Sequence, residues 1–199
     1  MSTKRSLTNP TPSQVFELLG QTLYVCNSIE LMIRWMNMYK GGFWTGKTQE
    51  KLLESVKKTV EKRQKEDKRM LGLVGPELID AIYTPRCDND IDAAEEKSLL
   101  AFKLDFKIER EDRHHQALTT FQIFTDARNY LVHYFARDYN FETPESCQKA
   151  FSDLREKGKI IQEAYNFFRE DYIRIIDLWK DFQKTLGISP SQGVAGRPR

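Results

Sequence analysis

The sequence predicts a mainly α-helical protein, an up-and-down four-helix bundle with a small β insertion around residues 98–110. Three observations point to that class. Apolar residues recur at steps of three and four along several long stretches, the spacing of one face of an α-helix. A threonine followed by proline opens the first and the last of these stretches, and that pair is helix-starting chemistry. One short segment, Leu100 to Glu109, breaks the helical period and places apolar residues at every even position, as a half-buried strand does.

Residues 1–11 are polar and expected to form a flexible arm ahead of a single domain over residues 12–187. The first helix starts with Thr11 as N-cap, Pro12 in its first position and Gln14 placed to close a capping box. Val15, Leu19, Cys26, Ile29, Ile33 and Met36 then keep helical spacing until Gly41-Gly42. The run Gly41 to Thr48 formally matches G-x-x-x-x-G-K-T, a phosphate-binding loop. That chemistry needs a preceding buried strand and a loop free to hug a nucleotide. Here a long helix precedes, and Phe43 and Trp44 are bulky. The stronger expectation is a glycine-rich turn between antiparallel helices, with Thr45 or Thr48 capping the second. Nucleotide hydrolysis through Lys47 and Thr48 is the weaker alternative.

Residues 49–70 form the second helix, with Leu52, Leu53, Val56 and Val60 inward and a mixed-charge run as its solvated face. Met70 to Val74 and Leu78 to Tyr83 are apolar segments either side of Gly75-Pro76, the second a short helix begun by the proline. Thr84 to Glu95 reads as an exposed loop. Asp88, Asp90 and Asp92 alternate within it but lack the glycine and distal glutamate of a calcium loop. The strand at 100–109 needs a partner, expected from residues 70–83 or from another chain. Asp112 caps a third helix from about Arg113 to Asp138, with His114 and His115 as exposed polar residues in its first turn.

Thr143-Pro144-Glu145 opens the last helix. Its seam, Cys147, Phe151, Leu154, Gly158, Ile161, Tyr165, Phe168, Tyr172, Ile175, Trp179 and Phe182, has a 3.5-residue period and predicts coiled-coil-like packing. Gly158 on that seam permits close approach of another helix or marks a kink. Gly187 ends the helix, and residues 188–199 are expected to be a disordered tail.

Among 199 residues, 31 are basic and 29 acidic, so any nucleic-acid surface must be a local patch. Cys26, Cys87 and Cys147 are far apart and lack C-x-x-C spacing. Neither a disulfide framework nor a zinc site is expected, and a reducing cytoplasm is the natural compartment. No signal peptide and no run of about 18 apolar residues is evident, so no membrane association is expected.

The segment Asp126 to Phe135 carries the most informative chemistry. At about 100° per residue, Phe124, Leu131 and Phe135 share one direction within roughly 20°. His133 points about 180° from them, beside Asp126 and Asn129, and Arg128 lies between the two faces. An outward His133 next to Tyr130 and Tyr134 suits a dimer face.

Arg128-Asn129-x-x-x-His133 resembles the signature of HEPN-domain proteins: an arginine, four to six residues, then a histidine, often with a polar residue after the arginine. Arg128 and His133 match the invariant pair and Asn129 the polar position. Many bacterial members carry tyrosine two residues after the histidine; here Phe135 stands there and Tyr134 comes one residue earlier. The resemblance implies an all-α bundle whose protomers pair at the motif to form a metal-independent, cofactor-free endoribonuclease site. Arg128 and His133 would then be catalytic, with Asn129, Asp126 and Tyr134 in support. It also implies RNA as substrate, a homodimer through the motif helix, and a toxin–antitoxin or antiviral-defence role under a cognate antitoxin or regulatory protein. The alternative is a non-catalytic HEPN-like dimer that binds RNA, nucleotide or a partner protein.

Overall fold

The computed structural model describes residues 9–66, 71–83, 100–104, 108, 112–185 and 187, with the side chains of Phe43, Glu66 and residues 100–104 left aside. The arm at 1–8, the loop with Asp88, Asp90 and Asp92, Cys87, and the tail at 188–199 lie outside the described residues. The elements in order are α1 (Pro12–Met38), β1 (Gly42–Gly46), α2 (Gln49–Glu66), α3 (Leu71–Tyr83), β2 (Leu100–Leu104), α4 (Arg113–His133), α5 (Phe135–Asp138) and α6 (Pro144–Thr185). The fold is all-α with a small β insertion.

Helix α1 begins with the reciprocal cap its sequence calls for. The Gln14 amide N–H donates to Thr11 Oγ1 at 3.3 Å, and the Thr11 N–H donates to Gln14 Oε1 at 2.9 Å. At the other end Arg63 Nη1 donates to the Met38 carbonyl at 3.1 Å, meeting one of the carbonyls a helix end leaves open. Arg63 therefore does more than solvate the charged run of α2. Earlier on α2, Glu54 is held by Lys58 at 2.8 Å and Lys51 at 3.1 Å.

The glycine-rich segment is a strand, not a turn. β1 pairs antiparallel with β2, Gly42 opposite Leu104, Trp44 opposite Phe102 and Gly46 opposite Leu100. β2 covers residues 100–104 of the strand foreseen at 100–109, and it pairs with β1, a partner the sequence did not offer. From α3 the Ile82 carbonyl accepts from the Ile108 N–H at 3.0 Å. Two aromatics between glycines show no period-two alternation, so β1 left no strand signal. Gly46 is required by space: a Cβ there would stand 2.4 Å from the Leu52 backbone nitrogen. Thr48 caps α2, its Oγ1 accepting from the Lys51 N–H at 3.3 Å.

Residues 71–83 form one helix, not two segments parted by Gly75-Pro76. The ring of a proline normally pushes the preceding residue out of the α region by striking its Cβ. Gly75 has no Cβ, so α3 runs through Pro76.

The described chain divides into two compact units. The first comprises 1–29 and 120–167, the second 30–119 and 168–199. In the first, Val15, Ile29, Phe124, Leu131, Phe135, Leu154 and Ile161 are buried. Phe16 of α1 and Phe135 of α5 both meet Phe141, at ring separations of 4.8 and 6.1 Å. A Cβ on Gly158 would sit 3.9 Å from Thr22 Oγ1, so the seam glycine faces α1 at contact distance. In the second unit aliphatic side chains such as Ile33, Leu78, Ile79 and Ile82 are buried, and aromatic pairs join them: Trp35 meets Tyr172, Tyr39 meets Trp179, and Trp44 stacks at 6.0 Å on Phe182. Trp44, which argued against a nucleotide loop, is a core residue.

The seam of α6 also buries a charge. Asp171 is 0% exposed. Its Oδ2 accepts from the Tyr83 hydroxyl at 2.6 Å and from Arg113 Nη2 at 3.1 Å, tying α3, α4 and α6 together. Burial and the facing carboxylate push the Tyr83 phenol far above its ordinary range.

Asp171→Ala leaves Arg113 without its buried counter-charge and is expected to cost about 3–5 kcal/mol, against about 1–2 kcal/mol for Tyr83→Phe. Urea unfolding followed by circular dichroism measures both. By the same method Gly46→Ala should destabilise by about 1–3 kcal/mol. Gly20→Ala, at an α1 position with nothing within 4 Å of the new methyl, should stabilise by about 0.5–1 kcal/mol.

Candidate functional site

The motif lies on the C-terminal half of α4 in the first unit. Phe124 and Phe135 are 0% exposed and Leu131 3%, so the apolar stripe is the buried one. His133, on the opposite side, is exposed, as is Asp126. Arg128 and Asn129 are half-buried, and Arg128 Nη1 donates to Asn129 Oδ1 at 3.1 Å. Asp126 accepts from Gln122 Nε2 at 3.0 Å one turn earlier.

The motif helix does not run unbroken to Asp138. It ends at His133, passes through Tyr134 with φ −122° and ψ −33°, and resumes as the single turn α5. The Tyr134 N–H still donates to the Tyr130 carbonyl at 2.9 Å, and its own carbonyl accepts from the Arg137 and Asp138 N–H groups at 2.9 and 3.1 Å. With the axis broken there, Phe135 packs among Tyr130, Tyr139 and Phe141, at 6.4, 5.1 and 6.1 Å between ring centres.

Tyr134 is 45% exposed. Its ring centre lies 6.2 Å from that of His133, edge to face, and the Arg137 guanidinium lies 4.9 Å over it. Arg137 also approaches Asp138 at 3.5 Å. Tyr130, one turn before His133, is half-buried beneath Lys157 Nζ at 5.4 Å from its ring centre. The neighbouring Tyr139 hydroxyl donates to Asp153 Oδ2 at 3.2 Å. Burial first, then the Tyr139 hydroxyl and the Asp153 carboxylate, raise the Tyr130 phenol well above its usual range. It therefore stays a neutral phenol at physiological pH.

Arg137 and Lys157 escaped the sequence reading. The first is legible as a cation three residues after an aromatic, the second as the cation beside the seam glycine. Their partnership with Tyr134 and Tyr130 depends on the break and on α6.

One copy does not aim the two principal side chains at one point. Five residues of helix separate Arg128 and His133 by about 140° around the axis and about 7.5 Å along it. Arg128 sits at the margin of the buried stripe and His133 opposite its centre.

The formal phosphate-loop match does not build a phosphate cradle. Its residues 42–46 are hydrogen-bonded in β1, and Thr48 is a helix cap. A shallow groove lies nearby between Thr45 and the α2 residues Lys51, Glu54, Ser55, Lys58 and Lys62. Hydrogen bonds from Lys58 and Lys51 lower the Glu54 carboxyl to about 2, so the groove's acid neutralises part of its own cationic lining. His114, on α4 in the second unit, pairs with Asp80 at 2.9 Å. Among the described residues no group of three or more His, Cys, Asp or Glu is arranged to hold a metal ion. No described helix is long and apolar enough to cross a membrane.

No family model matches the chain, no curated protein matches it, and no solved structure matches it.

Burial raises five phenols, Tyr39, Tyr83, Tyr130, Tyr139 and Tyr172, above the ordinary value of 10.0. The folded chain thus keeps protons that the unfolded chain releases from about pH 10 upward. Stability contributed by these groups is complete below that pH and falls as pH rises beyond it. Phenolate absorbance at 295 nm should therefore lag a free-tyrosine titration and appear together with loss of helical circular dichroism.

Proposed function

We propose that the protein is a metal-independent endoribonuclease that acts as a homodimer through α4. RNA is cleaved when its 2′-hydroxyl attacks the adjacent phosphodiester. The observation that carries this is the division of α4. The same helix that buries Phe124, Ala127 and Leu131 leaves His133 exposed and Arg128, bonded to Asn129, at the edge of the buried stripe.

RNA brings its own nucleophile, so the protein need supply only proton transfer and charge neutralisation. An imidazole serves as general base or acid near neutral pH. A guanidinium holds two phosphoryl oxygens and stabilises charge developing on them. Because Arg128 and His133 diverge on one helix, a twofold pair offers the arginine of one protomer beside the histidine of its partner. Asn129 orients Arg128, and Asp126 and Tyr134 flank His133. In the cell such an enzyme acts as a cytoplasmic toxin or defence effector, restrained by a cognate antitoxin or regulatory protein.

A second reading has an observation of its own. Ile123, Val132 and Tyr134 of this region are 47, 46 and 45% exposed, a spread of apolar surface suited to holding a partner. It describes a non-catalytic HEPN-like dimer that binds RNA, nucleotide or protein here.

Incubating purified protein with total RNA separates the two. The ribonuclease leaves 2′,3′-cyclic phosphate ends, ignores EDTA and spares DNA. His133→Ala should lower the rate by about 10²–10⁴-fold and Arg128→Ala comparably. Cleavage by His133→Ala at the wild-type rate, or abolished by chelator, refutes the proposal.

A further inference from the structure

We propose that Tyr134 is a stacking platform for an unpaired nucleobase of the strand that reaches His133. RNA as the ligand rests on the ribonuclease reading above; the platform itself rests on the surroundings of the ring.

A lone exposed aromatic is ordinary on a protein surface. Tyr134 differs in three ways. Its backbone is held on both sides of the helix break, by the Tyr130 carbonyl and by the Arg137 and Asp138 amides, so the ring projects from a fixed point. The Arg137 guanidinium lies 4.9 Å over one face of the ring, so a base would stack on the other face with a cation across the ring to attract the strand. The Asp138 carboxylate, 3.5 Å from Arg137, is exposed enough that a phosphate can compete with it. Finally, the His133 ring stands 6.2 Å away and nearly perpendicular, at 72°. A base lying on Tyr134 brings its own ribose and phosphate within one nucleotide of the imidazole.

The geometry also selects a substrate class. Bases inside a duplex are stacked on each other, and the major groove of A-form RNA is closed to side chains. Only a single strand, loop or frayed end can lay a base on an exposed ring. Stacking uses the π-face that every base has, so the platform discriminates by strandedness more than by sequence.

Fluorescence anisotropy with a 2′-O-methylated single-stranded oligonucleotide tests this without cleavage, because the methyl blocks the nucleophile. Wild type and Tyr134→Phe should bind alike. Tyr134→Ala should bind on the order of tenfold more weakly, and Arg137→Ala several-fold more weakly, with all variants binding the matching duplex poorly. Sedimentation velocity should give all four proteins the same oligomeric state, and circular dichroism the same helicity. Unchanged affinity in Tyr134→Ala, a preference for duplex, or weakening that accompanies dissociation into monomers overturns the platform. Cleavage of ordinary RNA by Tyr134→Ala with an unaltered KM overturns the platform while leaving the ribonuclease intact. Tyr134-dependent binding by a wild-type protein that cuts nothing does the reverse.

Discussion

Burial of Phe124 and Leu131 on one side of α4, continued past Tyr134 by Phe135 of α5, is the constraint from which the candidate site follows. Each such side chain contributes about 1.5–3 kcal/mol by leaving water. Rotating the helix enough to bring His133 inward would expose all three, a loss comparable to the whole stability of a small domain. The position of the histidine is thus set by its neighbours' hydrophobicity, not by any contact of its own. The same division holds Arg128 at the margin, half-buried, with its head bonded to Asn129.

The second unit is specified by different forces. Its aromatic rings would tolerate several arrangements, since offset and edge-to-face pairs differ little in energy. The buried Asp171 does not. A carboxyl group at 0% exposure needs partners with the right geometry, and the Tyr83 hydroxyl and Arg113 guanidinium supply them from two other helices. Gly46 adds a steric condition, since β1 meets the start of α2 too closely for any side chain. One polar cluster and one glycine thereby choose among packings that hydrophobicity alone leaves open.

Chemically the motif region is sparse. It offers a guanidinium, an imidazole, a neutral phenol and two cations over aromatic rings. Transfer within an RNA strand asks for little more, because the attacking hydroxyl is already in place. The divergence of Arg128 and His133 around one helix explains why such a site would be built between copies: symmetry converts one outward-facing pair into two composite ones.

The local features were legible in the chain. The Thr11–Gln14 box, the cap at Thr48, the 3.5-residue seam of α6 and the outward His133 all depend on residues within about seven positions of one another, so their periodicity or spacing survives in the sequence. The strand at residues 100–104 was legible for the same reason. Its pairing with β1 was not, and neither were the union of Asp171 with Tyr83 and Arg113, the capping of α1 by Arg63, the passage of α3 through Pro76, or the break at Tyr134. Those were decided when segments up to 88 residues apart competed for the same buried space. Sequence alone determined which face of each helix would be apolar and that a histidine would stand opposite the apolar face of α4. Only tertiary packing decided what lies beneath and beside them, because burial, unlike periodicity, is a property of which distant surfaces meet.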